Sequence, residues 1–161
     1  MDRLWSPWRA KYIASGVDSQ AGTCVFCRIA NEPQDDEPNL VLHRGTNVFV
    51  VLNLFPYITG HLLVLPFQHI GELDSTPKEI TDELMDLTKQ AQTVLRKVYS
   101  PPGFNIGMNL GTAAGAGIVD HIHLHILPRW SGDTNFMTTV ADTRVIPETP
   151  DVTYNKLRDQ F

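Results

Sequence analysis

The stretch DHIHLHILPRW, Asp120 to Trp130, carries a histidine at every second position over its first half. Successive side chains of an extended strand point to opposite faces, so this alternation predicts a strand with His121, His123 and His125 on one side and Ile122, Leu124 and Ile126 on the other. One face is apolar and the other titratable. Such a face can ligate a metal, present an imidazole nucleophile with its supporting groups, or be a polar strand face satisfied by hydrogen bonds. Three histidines in strict alternation weigh against the last use.

The rest of the chain supplies neighbours for such a strand. LVLHRGTNVFVVLNL is read as two short strands around a turn from Arg44 to Asn47, and GHLLVLPF as a further strand ended by Pro66. Thr76 with Glu79 three residues later predicts a capping box, with Pro77 at the first helical position. Ile80, Leu84, Leu87, Ala91, Val94 and Val98 then repeat at helical spacing and form a core stripe. FNIGMNL alternates as a strand with one small, polar face, and Thr149 with Pro150 opens a short C-terminal helix. Strands joined by hairpins and interrupted by one long helix imply an α+β domain, an antiparallel sheet with helices on one side. At 161 residues one domain is expected: an N-terminal arm and loop over 1–22, a core over 24–137, and a C-terminal segment over 138–161. Trp5, Trp8 and Tyr12 of the arm are read as rings packing on an apolar surface, and Ala14 to Gly22 as a loop.

Charge narrows the partners. The formal net charge is −5, with no lysine or arginine cluster to track a nucleic-acid backbone, so a polymer substrate is not expected. No apolar run reaches the ~20 residues of a membrane span and the first residues have no apolar signal core, which predicts a soluble, cytoplasmic protein without a membrane partner. Phosphates, if handled, must be met locally. The run GTAAGAG, with Gly111, Gly115 and Gly117, is either a backbone cradle for an anion or a flexible connection, and it lies immediately before the histidine stretch. The pair in CVFC, Cys24 and Cys27, is a metal half-site, a redox pair or two inert thiols.

HIHLHILPRW resembles the signature of the histidine triad family, and the resemblance extends from VVLNLFPYITGHLLVLPFQHI through the helix to GDTNFM. It is similar in particular to the branch that cleaves diadenosine polyphosphates, the fragile-histidine-triad hydrolases and bacterial diadenosine tetraphosphate phosphorylases. The resemblance implies a sheet of about five strands extended across a homodimer. It implies a covalent nucleotidyl-histidine intermediate on His123, with His121 and His125 orienting it and contacting phosphate, His61 near the scissile phosphate and Asn53 on the ribose. Asn109 falls where the hydrolases place a phosphate-contacting glutamine, Gly111, Gly115 and Gly117 belong to the phosphate loop, and Trp130 of PRW is placed with the substrate-binding residues. The hydrolases carry a second glutamine near Ala116 or Gly117, absent here, which leaves room for inorganic phosphate as acceptor and inclines the reading toward phosphorolysis. Some bacterial triad proteins bind structural zinc through such a cysteine pair and two histidines, which here are His69 and His121; no organic cofactor is expected. The competing readings are a three-histidine metalloenzyme, a nucleotide sensor without turnover, and a nucleoside phosphoramidate hydrolase.

Overall fold

A computed structural model describes residues 24–141 and 145–161. The aromatic arm and the loop from Ala14 to Gly22 lie outside them. The described chain runs α1 (Val25–Asn31), β1 (Val41–Arg44), β2 (Val48–Leu52), β3 (Leu62–Pro66), α2 (Lys78–Tyr99), β4 (Gly103–Met108), β5 (Leu124–Arg129), α3 (Phe136–Ala141) and α4 (Pro150–Leu157). The strands form one antiparallel sheet in the order β1-β2-β3-β5-β4. This is the α+β architecture the sequence implies, with α1 and α3 added, except that α1 packs by the face opposite α2 rather than all helices sharing one side.

The central strands are set by composition. VFVVL and LLVLP are buried at every position, as β-branched and leucine runs must be when both faces of a sheet are covered. Leu62 pairs with Ile126 and Val64 with Leu124, so these four share one face. Helix α2 packs against β2, β3 and β5 with Ile80, Leu84, Leu87, Ala91, Val94 and Leu95 buried. Each fully buried leucine or isoleucine contributes about 1.5–3 kcal/mol. Val51, Leu63 and His125 are cross-strand neighbours on the opposite face, which α2 leaves open. Gly60 lies between β2 and β3 at φ +76°, where a Cβ would meet Leu95 and Pro128 at 3.1 Å, so the turn that presents His61 requires glycine.

Two local expectations are corrected. The capping box does not form: Pro77 is the N-cap of α2, no side chain caps it, and the Thr76 hydroxyl donates to the Glu72 carbonyl at 2.8 Å. A serine or threonine hydroxyl bonds a carbonyl four residues back as readily as a helix amide, and that partner wins here. The histidine stretch is not a strand throughout, because β5 begins only at Leu124. The Ile122 amide leaves the sheet and donates to the Ile70 carbonyl at 2.7 Å, which carries His121 toward His69.

Candidate active site

A cleft of about 380 Å3 opens over the sheet face that α2 leaves free. Its floor is Val51, Leu63, His123 and His125, one wall is α1, and the opposite wall is Asn109 with the glycine loop. The loop makes a single 3-10 turn, Thr112–Ala114, between Gly111 at φ 76° and Gly115 at φ 86°. Asn53, Asn109, Gly115, Gly117, His123 and His125 therefore converge on one cleft.

The hydrogen bonds decide which nitrogens carry protons. His123 Nδ1 lies 2.9 Å from the His121 carbonyl, which can only accept, so Nδ1 is the protonated nitrogen and Nε2 is bare. The Tyr57 amide donates to His61 Nδ1 at 3.1 Å, so His61 carries its proton on Nε2. That proton is donated to His125 Nδ1 at 2.8 Å, which leaves His125 protonated on Nε2. One backbone amide thus fixes two imidazole tautomers in series. His125 Nε2 is buried with no partner among the described residues, an unsatisfied donor on a ring that lines the cleft.

Burial keeps these rings neutral. His61 is fully buried and its pKa is pushed down to about 3, first by burial and then by His125 and His123. His125 falls to about 4 through burial and the neighbouring His123. His123 is also lowered by burial, opposed by its bond to the His121 carbonyl. The stability consequence has a definite sign. Unfolded histidines titrate near 6.5, so below that pH the unfolded chain binds protons that folded His61 and His125 refuse. Stability is therefore full above about pH 6.5 and falls as pH drops from 6.5 toward 4, by up to about 1.4 kcal/mol per pH unit for each ring. Urea unfolding across that range is expected to give a shallower pH slope for His61→Gln than for the wild type.

Not every predicted residue reaches the cleft. His121 does not line the cleft: its Nε2 donates to the Pro66 carbonyl at 2.8 Å, and its Nδ1 faces Cys24 and Cys27 Sγ at 3.5 and 3.6 Å. Of His61, His121 and His125 only His125 lines the cleft, and His61 lies behind it with its Nε2 on His125 Nδ1. Asn53 lines the cleft, its Oδ1 accepting from the Phe55 amide at 3.0 Å. Gly111 starts the loop without lining the cleft, and Trp130 lines a separate cavity of about 500 Å3 with Tyr99 and Arg129. Tyr57 is common to both cavities.

The sequence reading missed α1. Phe26, buried, lies 5.2 Å from the His123 ring and 5.4 Å from His121, and Ile29, also buried, follows one turn later. The spacing of Phe26 and Ile29 in VFCRIAN is the available signal, passed over where the CVFC pair is read for its thiols alone, as a metal half-site, a redox pair or two inert thiols. Cys24, Cys27, His69 and His121 place one ligand atom each within 4.8 Å of one another, the one such group of three or more found among the described residues.

The HIT domain model matches residues 34–132. The chain belongs to the HIT domain family. This HIT protein is 41% identical over 152 residues to the AP-4-A phosphorylase of Mycobacterium tuberculosis, covering 92% of this chain and 78% of that one. It is 42% identical over 94 residues to the asymmetrical bis(5'-nucleosyl)-tetraphosphatase of Schizosaccharomyces pombe, covering 58% of this chain and 50% of that protein. Among solved structures it resembles a zinc-bound histidine triad family protein from Mycobacterium smegmatis, with a TM-score of 0.68 and 31% identity over 86% of this chain and 92% of that one. The protein is an enzyme of the HIT family. No helix among the described residues is long and apolar enough to cross a membrane.

Proposed function

We propose that this HIT enzyme cleaves dinucleoside polyphosphates of the diadenosine tri- or tetraphosphate class through a nucleotidyl-His123 intermediate. The observation that supports the reading is that His123 lines the cleft with its Nε2 left bare by the bond from Nδ1–H to the His121 carbonyl. Nε2 attacks the α-phosphorus, the N–P bond forms, and the P–O bond to the departing nucleoside polyphosphate breaks. Positive charge growing on the ring is eased by the carbonyl at Nδ1–H, as a third group supports other nucleophilic sites. Negative charge growing on the phosphoryl oxygens meets the Nε2–H of His125, while the Ala114, Gly115 and Ala116 amides are engaged in the loop's own turn. The leaving group ends in a phosphate with a second pKa of about 6, so it departs without a strong general acid. Because His61 and His125 stay neutral across the physiological range, His125 works as a fixed donor.

The acceptor is inorganic phosphate. Two features support this: the M. tuberculosis relative is named a phosphorylase, and Ala116 and Gly117 line the cleft with little or no side chain. Diadenosine tetraphosphate is expected to give ADP and ATP only when phosphate is present. AMP and ATP in phosphate-free buffer at the same rate would establish a hydrolase instead. The three-histidine metal reading loses its geometry, since His121 Nδ1 faces the cysteines while His125 Nδ1 is occupied by His61.

The cysteine and histidine group fits zinc. Two thiols and two imidazoles are a tetrahedral zinc donor set, and the Pro66 carbonyl already fixes the tautomer that bares His121 Nδ1 toward the sulfurs. Burial and the adjacent Cys24 push the Cys27 thiol up to about 11, a cost that a divalent cation would reverse. Bound there, zinc would serve the fold, because four protein ligands leave no position for activated water. Cys24→Ser is expected to lose tightly held zinc and to lower Tm by about 5 °C or more, checked by metal analysis and calorimetry. Strand β4, at the sheet edge with Ile106 exposed, supports pairing with a second copy.

A further inference from the structure

We infer that the metal group and the nucleotide cleft are coupled through α1, so that metal and nucleotide each tighten the binding of the other. The inference rests on the nucleotide reading of the cleft. Helix α1 has seven residues, too short to persist without tertiary anchors, and no side chain caps its N-terminus. Its C-terminal end is held by Arg44, which donates to the carbonyls of Ile29 and Ala30 at 2.8 and 3.0 Å and pairs with Asp36. Its N-terminal end meets the core through the sulfur contacts to His69 and His121 at 3.2–3.6 Å and through the Phe26 ring. Thiol hydrogen bonds of that length are weak, so an ion shared by the four ligands would be the firm anchor of this end.

The same helix lines the cleft through Val25, Phe26, Arg28 and Ile29, and the Phe26 ring packs on both His121, a ligand of the proposed metal group, and His123, the proposed nucleophile. A second connection runs through the backbone, because the carbonyl of His121 is the group that holds His123 Nδ1–H. Metal therefore orders the wall and the ring that the nucleotide must meet, and a nucleotide packed on α1 holds the ligands in place for the metal. Linkage requires the two effects to be equal, and coupling of this kind is typically five- to 150-fold; about five- to tenfold is expected here.

The test needs no turnover. The zinc dissociation constant is measured by equilibrium competition with a chromophoric chelator with and without AMP, and AMP affinity is measured by calorimetry on loaded and metal-stripped protein. AMP is expected to tighten zinc binding, and stripping is expected to weaken AMP binding, by the same factor of about five- to tenfold. In Phe26→Leu AMP binding is expected to weaken in loaded and stripped protein alike, because the ring lines the cleft, and the ratio between the two states should shrink toward one. If AMP binds and the zinc dissociation constant is unchanged, the coupling is overturned while the nucleotide reading stands. If AMP does not bind the loaded protein, the nucleotide reading itself fails. The chelator competition reads the AMP effect whether or not the stripped form stays folded, and the Phe26→Leu comparison separates coupling through α1 from stabilisation of the fold as a whole.

Discussion

Asparagine in place of His123 is expected to lower turnover of diadenosine tetraphosphate by about 10^4-fold or more, the scale seen when a nucleophile is removed from a site whose other groups remain. The amide of asparagine can still donate to the His121 carbonyl, so the fold around the ring position is kept. It offers no nitrogen lone pair for phosphorus. Binding of AMP should change by no more than about threefold, since the apolar walls and the glycine loop are untouched. Steady-state kinetics and calorimetry separate the two effects. Retention of even a tenth of the wild-type rate would remove His123 from the reaction.

The second large effect concerns His125. Phenylalanine there keeps a flat aromatic ring, somewhat larger than imidazole, and deletes the Nε2–H, and kcat is expected to fall by about 10^2- to 10^3-fold with KM little changed, as when an oxyanion donor is lost. It also leaves the Nε2–H of His61 buried without an acceptor, at a cost of about 1–3 kcal/mol in stability. Glutamine separates these contributions. Its carbonyl oxygen can accept from His61 while its amide faces the cleft, so His125→Gln should recover most of the lost stability and part of the rate. Equal rates for the phenylalanine and glutamine variants would show that the donor at this position does not act on the transition state.

Much of the architecture was legible because it follows from periodicity. The stripe from Ile80 to Val94 and the apolar runs of β2 and β3 encode a helix and central strands through burial alone. The site was legible only in part. Asn53, Asn109 and His123 were recognisable from the family's pattern, and the cleft contains all three. The division of labour within the triad was not, because it depends on long-range partners. His121 turns away from the cleft because the Ile122 amide pairs with Ile70, and His125 becomes a donor because the Tyr57 amide reaches His61. Neither partner has a local signature. Helix α1 is hidden for a related reason: seven residues carry too little propensity to announce a helix, and contacts from Arg44 and from the cysteine cluster hold this one in place. The place given to Trp130 failed to converge with the histidines because β5 carries it past the end of the sheet into the cavity beside Tyr99.

The central claim is a bond between phosphorus and one imidazole nitrogen. Rapid alkaline quenching during turnover of diadenosine tetraphosphate labelled at the α-phosphorus, followed by peptide mass analysis, addresses it directly. The account predicts an acid-labile nucleotidyl group on the peptide that contains His123, absent from His123→Asn. Labelled nucleotide found only free in solution, or attached to His121 or His125 at the same level in both proteins, would contradict it.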